Sequence, residues 1–126
     1  MGLSKNKPIN SLSADWYTDD KFLKKEINQI FLKSWLLIGP ESHIPNPGDC
    51  LFQSIVDQPI VCVRQEDNSI KTFFNICRHR AGSFENKKSK NNYLVCKYHG
   101  WTYSIDGQLK GPRGFNKSEI ALKELC

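Results

Sequence analysis

Two short stretches decide how this sequence is interpreted: CRHRAG at residues 77–82 and CKYHGWTYSIDGQL at residues 96–109. Each stretch offers one thiol and one imidazole, although the chain has only 5 cysteines and 3 histidines in total. Two mixed pairs of such rare residues, each at the end of a predicted strand, are hard to obtain by chance. The candidate ligands are Cys77, His79, Cys96 and His99.

A glycine follows each pair, at Gly82 and Gly100. A residue without a side chain lets the backbone approach a bulky inorganic centre, and it tolerates backbone angles that a side chain would forbid. Exposed loop amides can then donate hydrogen bonds to sulfur. We therefore expect two glycine-containing loops that close around a metal group.

Three interpretations of the four candidate ligands compete. Buried cysteines often serve as small hydrophobes and a histidine often satisfies a backbone carbonyl, but four together at this spacing disfavour a purely structural role. A tetrahedral zinc site usually joins cysteine to cysteine and histidine to histidine at short spacing, whereas the pairs here are mixed. A two-iron, two-sulfur centre with two cysteines on one iron and two histidines on the other takes one of each from each loop, as this sequence supplies.

The composition excludes several classes of protein. The chain has 126 residues, of which 39% are hydrophobic and 25% charged, and its longest apolar runs are far shorter than the ~20 residues of a membrane span. Without an apolar stretch behind Lys5 and Lys7 we expect no secretory signal and a cytoplasmic location, where a disulfide framework is disfavoured. The net charge of +5 favours an acidic partner, either a redox protein or nucleic acid.

The periodicity predicts one helix followed by strands. Residues 1–14 are expected to form a loose leader, and an apolar stripe predicts an amphipathic helix over residues 18–34 with Thr18 as its cap. A short strand is expected over residues 36–39, closed by Pro40. The further predictions are strands at 50–56, 60–65, 70–75, 93–96, 102–105 and 108–110, hairpin turns at 66–69 and 106–107, a basic loop at 86–92 with Lys87, Lys88 and Lys90, and a terminal helix at 118–126.

The two ligand stretches resemble the signature of Rieske proteins, in the form found in Rieske non-haem iron oxygenases, the ring-hydroxylating oxygenase α subunits. The resemblance extends upstream through Trp16, Tyr17, residues 31–35 and the turn at 45–49, so it covers about residues 12–115. It implies a mainly β fold: a Rieske-type antiparallel β-sandwich with a cluster-binding subdomain, preceded by an N-terminal amphipathic helix. The domains would be a leader at 1–14, a lead-in helix and first strand at 15–40, and the iron–sulfur domain at 41–126.

The resemblance also implies a Rieske-type [2Fe-2S] cluster and its ligands. Cys77 and Cys96 would bind the inner iron, and His79 and His99 would bind the iron nearer the surface, where their imidazole edges form the electron exit. The two remaining cysteines in predicted strands, at 50 and 62, are expected to be core residues, and His43 a surface residue.

Respiratory Rieske proteins differ from this sequence around the cluster. They carry an extra cysteine in each loop and a serine after the second His-Gly, where this chain has Gly82, Tyr98 and Trp101. With fewer donors to sulfur, the reduction potential should lie toward the low end of the Rieske range. Tyr103 is either a donor near a cysteine sulfur or an ordinary strand aromatic, and Trp101 is expected to pack over the cluster and exclude water.

The resemblance implies partners as well. Arg78, Arg80 and Lys97 surround the ligands and would dock an acidic ferredoxin or flavin reductase. Family members pass electrons to a mononuclear Fe(II) held by two histidines and a carboxylate. Beyond the candidate ligands the only histidine is His43, so we expect this iron in a C-terminal domain that the chain lacks, and no catalytic residue within it. The resemblance further implies a homotrimer or an α/β oligomer for the intact protein.

We therefore expect an N-terminal Rieske portion of a longer oxygenase, which alone transfers electrons while the whole protein hydroxylates or demethylates an organic substrate. The lead-in and the CRHRAG stretch look most like the branch that acts on choline-, betaine- or carnitine-type amines. Two alternatives stay open. A free-standing Rieske ferredoxin would not need the lead-in helix, and a zinc-binding module that uses the basic loop on nucleic acid would not need mixed ligand pairs.

Overall fold

The computed structural model describes residues 11–86, 93–116, 118 and 120, and these fall into two compact units, Met1–Leu36 and Leu37–Cys126. Most of the predicted leader, residues 87–92 of the predicted basic loop and nearly all of the predicted terminal helix lie outside the described residues. Among the helices that the structure describes, none is long and apolar enough to cross a membrane.

The first unit contains two helices rather than the one that was predicted. Helix α1 spans Asp15–Thr18, helix α2 spans Asp20–Gln29, and a 3-10 turn follows at Phe31–Lys33. The prediction of Thr18 as the cap is wrong. Asp19 adopts an extended conformation between the helices, and its carboxylate accepts a hydrogen bond from the Lys21 N–H at 2.9 Å.

The apolar side chains of this first unit remain largely uncovered. No residue of α2 is buried, and the side chains of Trp35 and Leu37 on either side of the unit boundary are fully exposed. Trp16 and Phe22 stack with their ring centroids 4.3 Å apart. The predicted strand at residues 36–39 is wrong, because these residues take no part in a strand and so lack the ladder of hydrogen bonds that defines one.

The second unit is built from two antiparallel sheets, which confirms the prediction of a mainly β fold. The first sheet has the order β1-β2-β3, with β1 at Cys50–Ile55, β2 at Gln58–Arg64 and β3 at Ile70–Phe74. The second has the order β4-β5-β6-β7, with β4 at Phe84–Asn86, β5 at Tyr93–Cys96, β6 at Thr102–Ser104 and β7 at Leu109–Gly111.

Most predicted strands are confirmed, although several begin or end one or two residues away from their predicted bounds. Strand β4 was not predicted, because its three residues are too few for a period to show, and β7 lies one residue later than expected. Val56 belongs to the turn between β1 and β2 rather than to a strand. Val56 and Asp57 have φ angles of 50° and 62°, as a two-residue hairpin turn requires. Because Val56 is β-branched, it adopts this conformation at a cost.

One hydrophobic core joins the two sheets. The buried residues from the first sheet are Val61, Val63 and Phe73, and those from the second sheet and its loops are Cys77, Phe84, Leu94, Cys96, Trp101, Tyr103 and Ile105. Gln65 crosses between the sheets, because its buried amide nitrogen donates to the Ile105 carbonyl at 2.8 Å. This core lies directly beneath the two stretches that carry the candidate ligands.

A buried arginine in β2 forms hydrogen bonds to residues 41–44, which precede β1. Arg64 is 6% exposed, and its Nε donates to the Ile44 carbonyl at 2.8 Å while Nη1 donates to the Asn68 carbonyl at 2.7 Å. Nη1 also contacts a carboxylate oxygen of Glu41 at 2.5 Å. The predicted turn at 45–49 is confirmed, since the N–H of Asp49 donates to the Asn46 carbonyl at 2.9 Å, and the N–H of Gly48 ties this turn to the Arg64 carbonyl at 2.9 Å.

Candidate metal centre

The two ligand stretches form two loops with the same backbone pattern: the first loop, residues 77–82, and the second loop, residues 96–101. In each loop, the N–H of the cysteine donates to the carbonyl of the sixth residue, Gly82 or Trp101, at 2.8 Å. The N–H of the fifth residue donates to the carbonyl of the cysteine. This donor is Ala81 in the first loop, at 2.9 Å, and Gly100 in the second, at 3.0 Å. These two residues have φ angles of 56° and 73°. The chain therefore builds the same loop twice.

The strands hold the two loops side by side. The first loop lies between β3 and β4, and the second lies between β5 and β6. Phe84 in β4 is paired with Cys96 in β5, and the N–H of Lys97 donates to the Ser83 carbonyl at 2.9 Å. The N–H of Phe84 also donates to the side-chain oxygen of Asn75 at 2.7 Å. Because β4 pairs next to β5, residues nearly twenty positions apart become neighbours.

All four candidate ligands come together between these loops. Cys77 and Cys96 are buried, at 2% and 4% exposure, and their thiols are close enough to influence each other's protonation. His79 and His99 are half-buried, with their ring centroids 4.8 Å apart. The thiols therefore face the core and the imidazoles lie nearer the surface.

The environments of Cys77 and His79 suit metal binding. Burial raises the pKa of the Cys77 thiol, and the neighbouring Cys96 thiol raises it further, so the proton stays on sulfur until a metal displaces it. Burial lowers the pKa of the His79 imidazole, and the neighbouring His99 and Arg80 side chains lower it further. A neutral imidazole at neutral pH has a lone pair available for a metal.

A buried tyrosine lies against one thiol. The Tyr103 phenol oxygen is 3.6 Å from the Cys77 sulfur, and the backbone N–H of Arg78 also donates to this oxygen. Burial, followed by the contact with Cys77, raises the phenol pKa, so Tyr103 stays protonated. Because the oxygen accepts from Arg78, its own O–H is available to the sulfur. Of the two expectations for Tyr103, the structure favours the donor.

Three observations show that these residues fit an iron–sulfur group. First, the Nδ1 atom of His99 is buried and has no hydrogen-bond partner among the described residues, as expected of an atom that accepts a metal. Second, a Cβ on Gly82 would lie 2.8 Å from the Cys96 sulfur, so the first loop approaches the thiol too closely for a side chain. Third, two soft thiolates and two imidazoles are the ligands of a Rieske centre.

The arrangement does not gather around one ion. Within the described ranges, no group of three or more histidine, cysteine, aspartate or glutamate side chains is placed to hold a single metal ion. The thiol pair and the imidazole pair could instead hold one metal ion each, with two ligands per ion.

The prediction that the loop glycines adopt backbone angles forbidden to other residues is correct for Gly100 and wrong for Gly82. Gly100 has the positive φ that was expected. In the first loop the positive φ belongs to Ala81, and Gly82 is required because a side chain would collide with Cys96 and Tyr98. Sequence position cannot show this difference, because it depends on how closely the two loops approach.

Two residues of the site were not predicted from the sequence. The Arg113 side chain lies close to Gly100, where an added Cβ would be 3.8 Å from it. Arg113 also lines a cleft of about 510 Å³ with Lys97, Tyr98 and His99. Phe115 lies edge-on to His79, with ring centroids 5.7 Å apart. Both follow β7, far from the ligand motif along the chain, and nothing in their local sequence marks them.

The other predicted residues lie apart from this cluster of ligands. Cys50 and Cys62 lie in β1 and β2, where Cys62 is buried with its sulfur 3.3 Å from the Thr72 hydroxyl. Burial raises the pKa of Cys50 to about 11. His43 is exposed in a 3-10 turn at Glu41–His43.

Comparisons with known proteins agree with this geometry. The Rieske [2Fe-2S] domain model matches residues 34–120. The chain is 39% identical over 118 residues to the biphenyl dioxygenase α subunit of Metapseudomonas furukawaii, covering 82% of this chain and 26% of that subunit. It is 40% identical over 101 residues to the glycine betaine monooxygenase oxygenase subunit of Chromohalobacter salexigens, covering 79% and 23%.

A solved structure is similar as well. The quaternary ammonium Rieske monooxygenase CntA, in complex with L-carnitine, superposes with a TM-score of 0.76 and 31% identity, covering 87% of this chain and 32% of that one. The chain thus spans about a quarter of the length of the curated relatives it matches. With two matched loops, paired thiols and paired imidazoles, the chain belongs to the Rieske [2Fe-2S] domain family, and its relatives are Rieske oxygenases.

Proposed function

We propose that this chain is the electron-transfer portion of a Rieske oxygenase in the cytoplasm. In this proposal it receives electrons from a redox partner and passes them to a mononuclear iron elsewhere in the intact protein, where an organic substrate is hydroxylated or demethylated. The observation that carries the proposal is the order of the ligands, with both thiols in the core and both imidazoles half-exposed.

Each ligand has a proposed place. Cys77 and Cys96 would hold one iron of the [2Fe-2S] cluster, and His79 and His99 would hold the other. When bound, the cluster supplies one-electron reduction and oxidation. The core around the two thiols excludes water from their side, and Tyr103 holds its proton toward the Cys77 sulfur at 3.6 Å.

The imidazole face would exchange electrons with partners. His79 and His99 are the candidate ligands with partly exposed side chains, so a partner that binds over them approaches the metal site most closely. Lys97 and Arg113 are exposed beside His99, which would attract an acidic ferredoxin or flavin reductase. The half-exposed rings of Tyr98 and Phe115 offer apolar contact at the same face.

A second subunit would use the same face. A solved structure of a quaternary ammonium Rieske monooxygenase gives insights into inter-subunit electron transfer in that protein. We propose that the intact protein is likewise an oligomer, either a homotrimer or an α/β assembly.

The substrate would be selected outside this chain. The aromatic-ring relative and the glycine betaine relative match it equally well, at 39% and 40% identity. Such equal similarity is expected of a domain that only transfers electrons, because both groups of enzymes need electrons whatever their substrate. A quaternary amine as substrate remains a prediction, which turnover by the intact protein would test.

Metal analysis of the chain and four variants tests the ligand assignment. The chain is produced with iron and sulfide, and iron, zinc and acid-labile sulfide are counted per chain. We expect two irons, two sulfides and a spectrum that bleaches on reduction. Cys77→Ser and His99→Ala should lose these, whereas the matched variants Cys62→Ser and His43→Ala should keep them. One zinc in place of iron and sulfide would refute the proposal and favour the zinc module.

A charge-reversal experiment tests the partner surface. Lys97→Glu and Arg113→Glu should each slow reduction by an acidic ferredoxin, and higher salt should reduce the difference from the unmodified chain. Lys71→Glu at the start of β3 makes the same change in net charge away from the loops and should have little effect. Equal slowing by Lys71→Glu would contradict docking at the imidazole face.

A further inference from the structure

The side chain of Trp101, in the second loop, packs against a candidate ligand of the first loop. Its indole lies flat against the His79 imidazole, with ring centroids 4.5 Å apart and planes inclined by only 5°. In the repeated loop pattern, the position of Trp101 corresponds to Gly82. One loop therefore leaves this position empty, and the other fills it with the largest side chain.

The two imidazoles have different aromatic neighbours. Trp101 beside His79 is 3% exposed, and Phe115 lies edge-on to both of these rings. His99 lies against Tyr98, which is 60% exposed and tilted by 31°. A buried, parallel ring restricts the rotation of an imidazole more than an exposed, tilted one does. His79 is therefore the more firmly oriented of the two.

The indole N–H has no acceptor within the protein. Nε1 of Trp101 is buried and forms no hydrogen bond among the described residues. A buried donor without a partner is costly, and native proteins rarely leave one. The other buried, unpartnered side-chain atom among the described residues is Nδ1 of His99, a candidate metal ligand. Both unpartnered atoms thus belong to residues of the second loop, at the proposed metal site.

We propose that Trp101 is a positioning residue for His79 and that its indole N–H donates a hydrogen bond to the iron–sulfur group. This inference rests on the ligand assignment proposed above. The ring fixes the plane of the imidazole, and the N–H stabilises the extra negative charge of the reduced state. The indole thereby raises the reduction potential above the value that the ligands alone would give.

Two substitutions separate the two effects. Trp101→Phe keeps a flat ring but removes the N–H, and Trp101→Leu removes both. Trp35→Phe is the matched control, because Trp35 is fully exposed in the first unit. Each protein is analysed for iron and sulfide, titrated potentiometrically, and examined after reduction by electron spin resonance for the coupling of histidine nitrogen to the unpaired electron.

We expect Trp101→Phe to keep its cluster and the histidine coupling, while the equilibrium constant for reduction falls about tenfold, which is about 59 mV for one electron. Trp101→Leu should lower the potential as well and change the histidine coupling. Trp35→Phe should match the unmodified chain. An unchanged potential in Trp101→Phe would overturn donation by the indole, and an unchanged histidine coupling in Trp101→Leu would overturn the positioning of His79.

A labelled sample keeps the test decisive if a Trp101 variant does not assemble. With indole-¹⁵N tryptophan in a chain that carries both Trp16→Phe and Trp35→Phe, Trp101 is the labelled residue and its indole nitrogen should couple to the unpaired electron; no such coupling would overturn the hydrogen bond. An unmodified chain without iron and sulfide would refute the proposed function, and this inference with it. If the unmodified chain binds iron and sulfide but the Trp101 variants keep its reduction potential and histidine coupling, this inference alone is refuted.

Discussion

Replacing Gly82 by alanine should damage the metal site more than the fold. An added Cβ would lie 2.8 Å from the Cys96 sulfur and 2.9 Å from the Tyr98 Cβ. Ordinary contacts between such atoms are about 3.5–4.0 Å, so the neighbours must move by about 0.7 Å or more. Cys96 is held in β5 by its pairing with Phe84, so the strain falls on the contact between the two loops.

The size of the effect follows from the cost of overpacking. One extra methyl group in a well-packed site costs about 1–3 kcal/mol, which is about a 5- to 150-fold change in the ratio of folded to unfolded chain. A thiol displaced by this distance no longer matches the geometry of an iron ligand. We therefore expect Gly82→Ala to lower both the urea midpoint and the iron and sulfide content.

A matched glycine provides the control. At Gly111 in β7, an added Cβ would meet Thr102 at ordinary distances of 3.5 and 3.7 Å. We expect Gly111→Ala to stay within about 0.5 kcal/mol of the unmodified chain and to keep its iron. Both variants are measured by urea unfolding, with and without iron, and by metal analysis. Wild-type iron content and an unchanged midpoint in Gly82→Ala would refute the claim that the two loops touch here.

Three further predictions concern stability. Arg64→Leu should cost about 3 kcal/mol in urea unfolding, because it removes a buried guanidinium that donates to main-chain carbonyls, and a loss below about 1 kcal/mol would contradict this. The double change Val56→Asn and Asp57→Gly should raise the urea midpoint by relieving the turn, a gain of about 1 kcal/mol, and a loss of stability would count against strain there. The Ser69 hydroxyl and N–H donate to the Asp67 carboxylate and lower its pKa from the ordinary 3.8. The ionised carboxylate therefore stabilises the folded chain above that pH, and this contribution is lost as the pH falls through the lowered pKa. Asp67→Asn should flatten the fall of the unfolding midpoint below about pH 4, and an unchanged slope would show that Asp67 contributes nothing.

Features that depend on neighbouring residues could be predicted from the sequence. Alternation predicted β1, β2 and β3, and the turn residues predicted the hairpins at 66–69 and 106–107. The mixed cysteine–histidine pairs predicted an iron–sulfur site because ligand identity and spacing are local properties. The predicted helix was wrong at both ends: Asp19 takes an extended conformation and caps α2, and α2 ends at Gln29 before a 3-10 turn at Phe31–Lys33.

The sequence was sufficient to identify the candidate ligands, because the metal-binding chemistry of thiols and imidazoles belongs to the side chains themselves. The tertiary structure alone decided how these groups are tuned. It placed β4 beside β5, positioned Gly82 against a thiol, and stacked Trp101 on His79. These contacts join residues far apart along the chain, and their burial depends on the whole core, so no local pattern could have shown them.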